Sequence, residues 1–205
     1  MIVEKFGQKY ERVFADDIKT LTKDLFRKIR ADGYKPDCVI ALARGGSMQA
    51  RYLSDYCDQR KFLSIRIEYY TDENKRDKEP KITQGLPPET DLSGQSVMLV
   101  DDVSDTGDSL NVAVEHVKGF KPKDLKTAVL YFKPESSTFV PDYYARETDA
   151  WIIFDWEQYE TGKSLIKRKM RHMEDKEVRK HLEDLSIEKE IIDWLIEDRT
   201  INHWD

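Results

Sequence analysis

Residues 97–110, VMLVDDVSDTGDSL, constrain the fold more than any other stretch of the chain. An apolar run leads straight into Asp101 and Asp102, and Asp105, Thr106, Gly107, Asp108 and Ser109 follow at once. The run reads as a buried strand. Beyond it, Leu110, Val114 and Val117 fall at helical spacing. A strand joined to a helix by a glycine-bearing turn presents the helix's unpaired N–H groups and positive dipole end at that turn. Gly107 lets the backbone approach a ligand closely. Successive N–H groups there form a nest for a phosphate, with the hydroxyls of Thr106 and Ser109 as further donors. Ionised carboxylates only accept hydrogen bonds, so Asp101 and Asp102 suit a ribose diol or a divalent cation. Together these features fit a sugar phosphate carrying Mg²⁺. No GxxxxGK[ST] occurs, which disfavours a P-loop nucleotidase.

The rest of the chain supplies the frame. ADDIKTLTKDLFRKIRADGYKPD reads as a helix with Ile18, Leu21, Leu25, Phe26 and Ile29 on one face. Asp16 is its candidate cap and Gly33 its left-handed stop. CVIALA (38–43) reads as a buried strand broken by RGGS, and a second helix runs from about Met48 to Cys57. FLSIRIEYY (62–70), LKTAVLYFK (125–133) and AWIIF (150–154) read as further strands. This alternation predicts an α/β fold: a mostly parallel twisted sheet with helices on both faces. Ligands of such sheets bind at the carboxyl ends of strands, near a switch in strand order. Both RGGS and DDVSDTGDS sit at such ends. Residues 71–92 are polar and rich in turn formers, so a long loop acting as a lid is expected. After Trp156 the chain is charged. Val178, Leu182 and Leu185 mark one helix, and Ile191, Ile192, Leu195 and Ile196 another, restarting after Ser186. A domain over 1–160 and a helical extension over 161–205 are expected.

Composition sets the outer limits. The net charge of −6 over 205 residues argues against broad binding to DNA or RNA, and the basic run KSLIKRKMR reads as a solvated helix. No run of about twenty apolar residues offers a membrane span, and the start lacks a signal peptide's long apolar region. Cys38 and Cys57 show no metal spacing, so free thiols in a reducing cytoplasm are expected. His116, His172, His181 and His203 are scattered and are expected at the surface.

VMLVDDVSDTGDS resembles the phosphoribosyl-pyrophosphate motif of the type I phosphoribosyltransferases. ALARGGS resembles the pyrophosphate loop of that family, one strand earlier. KPESSTFVPDYYARETDAWIIFDWE resembles the base-binding end of its purine members, particularly the xanthine–guanine and archaeal hypoxanthine–guanine types. The likeness covers about residues 15–160. It implies a type I phosphoribosyltransferase fold, a homodimer or homotetramer, and Mg²⁺-dependent transfer of a 5-phosphoribosyl group to a 6-oxopurine with release of pyrophosphate, as in purine salvage. By the resemblance, Asp101 and Asp102 hold the ribose hydroxyls, and Asp102 helps place Mg²⁺, which is held largely through the donor. Asp105, Thr106, Gly107, Asp108 and Ser109 wrap the 5′-phosphate. Arg44 and Gly45, through a strained Ala43–Arg44 peptide, meet the pyrophosphate. Lys133 donates to the 6-oxo group, Trp151 stacks on the base, main-chain groups near Ile152 read its edge, and Asp105 acts as base near the purine N7. Relatives of the purine type often carry proline at the place of Asp155. Tyr69 and Tyr70 stay open between strand packing and a lid hinge, and Lys78 and Lys81 read as solvated charges. Two other readings compete: another acceptor such as adenine or orotate, and a non-catalytic regulator that binds the donor. Lys133 and Trp151 favour an oxopurine. A regulator is expected to carry a DNA-binding domain ahead of the core.

Overall fold

The computed structural model describes residues 1–71 and 78–200; of Tyr70, Thr71 and Lys78 it describes the backbone only. In chain order the elements are β1 (Ile2–Lys5), β2 (Gln8–Val13), α1 (Ala15–Ala31), β3 (Cys38–Ala43), α2 (Ser47–Tyr56), β4 (Phe62–Thr71) and β5 (Lys78–Gln84). Then come β6 (Ser96–Ser104), α3 (Asp108–Lys118), β7 (Asp124–Phe132), β8 (Tyr143–Glu147) and β9 (Trp151–Phe154). A short 3-10 turn (Asp155–Glu157) leads into α4 (Gln158–Lys169), α5 (Asp175–Asp184) and α6 (Lys189–Thr200). These elements form two compact units, Ile18–Asp149 and Met1–Asp17 with the segment from Ala150 onward. The division expected after residue 160 differs from this one, and α4 runs through that position.

The larger unit is built on a sheet of order β5-β4-β3-β6-β7-β8, parallel except for the β4–β5 pair. The runs Cys38–Ala43 of β3 and Val97–Val100 of β6 are apolar because both faces are covered. Cys38, Ile40, Leu42, Val97, Leu99 and Val129 share one layer with Leu110, Ala113, Val114 and Val117 of α3. Strand alternation turns Val39, Ala41, Met98, Val100, Ala128 and Leu130 to the opposite face, and all of them are buried. Helix α2 packs on β3 and β6. Helix α1 buries the stripe Ile18, Leu21, Leu25 and Ile29 and stops before Gly33, whose φ of 71° is left-handed as expected. The cap differs from expectation: Asp17, not Asp16, accepts the Phe14 N–H at 3.0 Å. From β3 the chain winds outward through β4 and β5, then returns to β6 and winds the other way. The switch in strand order therefore lies between β3 and β6, the two strands whose carboxyl ends carry RGGS and DDVSDTGDS.

The long loop expected over residues 71–92 is corrected in part. Residues 72–77 of that segment lie outside the described residues, but Lys78–Gln84 forms β5 and pairs with β4 from Arg66 to Thr71. Its polar composition hid it: β5 is an edge strand, where solvent covers one side and Pro80 is tolerated. Beyond β5, Leu86 and Leu92 are buried in the core.

His116 corrects the surface expectation. It is half-buried in α3, its Nε2 accepts the Leu86 N–H at 3.0 Å, and its ring meets Phe120 edge-on, with centroids 5.3 Å apart. His181 is likewise half-buried against Phe6, His172 is exposed as expected, and His203 lies outside the described residues. Removing a hydrogen-bond partner from a buried amide costs about 1–3 kcal/mol. His116→Ala is therefore expected to lower unfolding stability by about that amount in urea, with His116→Gln closer to the parent. An unchanged midpoint for the alanine variant counts against this contact.

In the smaller unit β2 pairs antiparallel with β1 and parallel with β9. The AWIIF strand thus joins a second sheet. Tyr10 and Ile153 pack with Leu165, Ile166, Val178, Leu182, Ile192 and Leu195 of the three helices. The basic run expected as a solvated helix lies largely in α4, but α4 also buries Leu165 and Ile166, an apolar pair that its basic end, Lys167 to Lys169, masked. Arg12 is only 2% exposed and donates to the carbonyls of Val13, Ile153 and Ser186 and to Asp155 Oδ1 at 2.9 Å. Asp155, the departure from the purine pattern, is thereby the partner of a buried arginine, which a proline could not be. Among the described residues no helix is long and apolar enough to cross a membrane.

Candidate active site

Strand β6 runs on through Ser104, so Asp101 and Asp102 lie within it, each only 8% exposed. Backbone donors fix both carboxylates. The Asp102 N–H donates to Asp101 Oδ1 at 2.9 Å, and the Val103 N–H to Asp102 Oδ1 at 2.8 Å. Burial holds the Asp102 carboxyl above its ordinary range, against the opposing pull of its contacts with Asp101 and the Val103 N–H. The sign of the linkage follows. A carboxyl whose folded pKa is raised binds its proton more readily in the native state. Stability is then lost as pH rises from the ordinary carboxylate range through the raised value. Asp102→Asn is expected to match the parent in acid and to be more stable than it at neutral pH, without divalent cation. Denaturant midpoints across pH test this, and a constant difference at all pH values contradicts it.

The pyrophosphate-loop candidates sit against this carboxylate. The Ala43–Arg44 peptide is cis. A Cβ on Gly45 would fall 2.0 Å from Asp102 Oδ2, and one on Gly46 2.3 Å from the Val100 carbonyl, so only glycine fits at either place. Gln49, fully buried, donates from Nε2 to the Gly45 carbonyl at 3.0 Å and so supports the loop from α2. Arg44 is exposed.

The turn after β6 is held from the segment that follows β7. Gly107 has φ 87° and precedes the first residue of α3. Ser136 Oγ donates to the Asp105 carbonyl at 2.8 Å and to its Oδ1 at 3.1 Å. The Thr138 N–H and hydroxyl both donate to the Thr106 carbonyl, at 2.8 and 3.0 Å. Lys133 Nζ donates to Asp105 Oδ2 at 2.9 Å, with its side chain only 12% exposed. Thr106 Oγ1 donates to Asp108 Oδ2 at 2.8 Å, so the Asp108 carboxylate turns back on the loop. A cleft of about 300 Å³ results, lined by Tyr69, Asp101, Asp102, Asp105, Thr106, Gly107 and Ser109 among others. Asp108 is outside this lining. Sequence reading missed Ser136, Thr138 and Tyr69 as parts of the site. The run of hydroxyl residues after Lys133 was the available signal for the first two.

Trp151 and Ile152 belong to the other compact unit, on β9. Trp151 is 46% exposed and Ile152 7%. Trp151 lines a cavity of about 80 Å³ with Tyr10, Thr161 and Arg168.

Residues 9–163 fit the family model described as phosphoribosyl transferase domain. The chain belongs to the phosphoribosyltransferase family. A xanthine-guanine phosphoribosyltransferase of Gluconobacter oxydans is 32% identical over 121 residues, covering 58% of this chain and 67% of that protein. A hypoxanthine-guanine phosphoribosyltransferase of Aquifex aeolicus is 29% identical over 159 residues, covering 73% and 87%. The crystal structure of a purine phosphoribosyltransferase from Pyrococcus horikoshii matches with TM-score 0.65 and 36% identity, over 72% of this chain and 93% of that one. These relatives place the phosphoribosyltransferase among the purine enzymes of the family.

Proposed function

We propose that this enzyme transfers the 5-phosphoribosyl group of phosphoribosyl pyrophosphate to a 6-oxopurine (guanine, hypoxanthine or xanthine), releasing pyrophosphate, in purine salvage. The observation that carries the reading is the Lys133–Asp105 pair at the edge of a cleft that also holds Asp101, Asp102, Thr106, Gly107 and Ser109. In this reading the turn from Asp105 to Ser109 binds the 5′-phosphate through N–H groups and hydroxyls. Asp101 and Asp102 accept from the ribose hydroxyls, and Arg44 with the Gly45 backbone meets the pyrophosphate.

The reaction breaks the bond between the ribosyl carbon and pyrophosphate and forms one to a purine nitrogen. Negative charge grows on the departing group, where Arg44 stabilises it. The purine must lose the proton of its attacking nitrogen system, and Asp105 takes or orients it near N7. Lys133 spreads charge from the 6-oxo oxygen. By the family likeness alone, Trp151 would supply an aromatic face, worth about 1–3 kcal/mol and indifferent to the identity of the base, and main-chain groups near Ile152 would read the base edge. Adjacent buried carboxylates at the cleft suit a cation. Among the described residues no group of three or more His, Cys, Asp or Glu side chains is placed to hold one, so Asp102 would share it with the donor's oxygens. A bound Mg²⁺ neutralises the pyrophosphate charge. A role for the 71–92 segment in shielding the donor from water, assembly as a homodimer or homotetramer, and a cytoplasmic location complete the proposal, and rest on the family likeness.

Product binding tests base selection. Lys133 can donate to a 6-oxo oxygen but faces a 6-amino group donor to donor. GMP, IMP or XMP should bind at least about tenfold more tightly than AMP by calorimetry. Equal affinity for AMP would remove the oxopurine assignment while leaving the family assignment in place.

A further inference from the structure

Helix α3 is hydrogen-bonded at both ends to the arms of the β4–β5 pair. At its last turn His116 accepts the Leu86 N–H just beyond β5, at 3.0 Å. At its first turn Ser109 Oγ donates to the phenol oxygen of Tyr69, on β4, at 3.1 Å. Tyr69 is 44% exposed and lines the cleft. Its partner across the strand pair is Pro80, whose side chain has no hydrogen-bonding group for a phenol. Packing on Pro80 would be served as well by phenylalanine, so the hydroxyl is the part of Tyr69 that packing does not explain.

A serine hydroxyl has one hydrogen and two acceptor lone pairs, and it rotates. Bonding to a neighbour on a strand fixes that rotor. Here the serine donates to the phenol; both hydroxyl hydrogens can turn, and once a phosphate oxygen takes the serine's hydrogen the phenol becomes the donor to Ser109 Oγ. We propose that Tyr69 is a positioning residue for the donor phosphate: its phenol orients the Ser109 hydroxyl and so couples strand β4 to the cradle at the start of α3. The inference rests on reading that cradle as the 5′-phosphate site. It resolves Tyr69, which the sequence left between strand packing and a hinge, toward a part in ligand binding.

A double-mutant cycle tests it. The parent, Tyr69→Phe, Ser109→Ala and the double variant are titrated by calorimetry with phosphoribosyl pyrophosphate and Mg²⁺. Each is also titrated with inorganic pyrophosphate and Mg²⁺, and circular dichroism checks that each is folded. Each single change is expected to weaken donor binding about three- to tenfold. The double variant should bind no more weakly than Ser109→Ala, because Tyr69 acts through that hydroxyl. Pyrophosphate affinity should not move, since Arg44 and Gly45 meet that group. Additive losses, an unmoved donor affinity in Tyr69→Phe, or an equal loss for pyrophosphate overturn the proposal. A parent protein that does not bind phosphoribosyl pyrophosphate overturns the donor-site reading itself, a failure seen before any variant is compared.

Discussion

Asp105→Asn should lower turnover by about 10²–10⁴-fold while leaving affinity for phosphoribosyl pyrophosphate within about threefold of the parent. The asparagine fits the same space. Its oxygen can take the place of Oδ2 opposite Lys133, and its amide group can face Ser136 Oγ, which accepts as well as donates. The backbone of the turn is held separately, by Ser136 on the Asp105 carbonyl and by Thr138 on the Thr106 carbonyl. The phosphate cradle therefore keeps its shape. What the amide cannot do is accept a proton from the purine. Single-turnover rates and donor titration on the same protein separate the two effects. Equal losses in rate and donor affinity would mean that Asp105 serves only to shape the loop.

Gly107→Ala is the second large effect, and it falls on both stability and binding. A left-handed backbone costs a residue with a Cβ about 1–2 kcal/mol. The added methyl would also sit 2.6 Å from the Phe139 N and Cβ and 2.9 Å from Ser137 Oγ. Forcing that contact costs about a further 1–3 kcal/mol. The sum is a large part of the roughly 5–15 kcal/mol that holds an ordinary domain. Relief moves the turn away from the 133–139 segment and spoils the N–H nest, so donor affinity should fall by more than tenfold, by the loss of about one or more charge-assisted hydrogen bonds. Gly94→Ala is the matched control. Gly94 also has a left-handed φ, 72°, but a Cβ there meets nothing within 4 Å. It should cost the conformational part alone, with donor binding unchanged. Equal stability losses for the two variants would show that close packing at Gly107 is not what matters.

The parts of the site that the sequence discloses are those carried by one short segment. Asp101, Asp102, Asp105, Gly107 and Ser109 fall within nine residues, and a strand–turn–helix pattern suffices to aim them at one cleft. The glycine loop at Arg44 is legible for the same reason, and β3–β6 pairing brings it alongside. What stays hidden depends on partners far along the chain. Ser136 and Thr138 reach back to the turn, Tyr69 reaches Ser109, and His116 meets Leu86, and no local periodicity records such pairs. Element errors have the same origin. Polar β5 is a strand because β4 offers it a free edge, and the basic helix read as solvated buries Leu165 and Ile166 only because α5 and α6 are in place. Asp155 looked like a defect in a motif until Arg12 supplied its charge partner.

The central claim is tested most directly by following pyrophosphate release from phosphoribosyl pyrophosphate and Mg²⁺ with guanine, hypoxanthine, xanthine, adenine or orotate as acceptor. Turnover is expected with at least one of the three oxopurines, well above that with adenine or orotate, and is expected to be lost in Asp105→Asn. Donor binding without turnover on any of the oxopurines would contradict it.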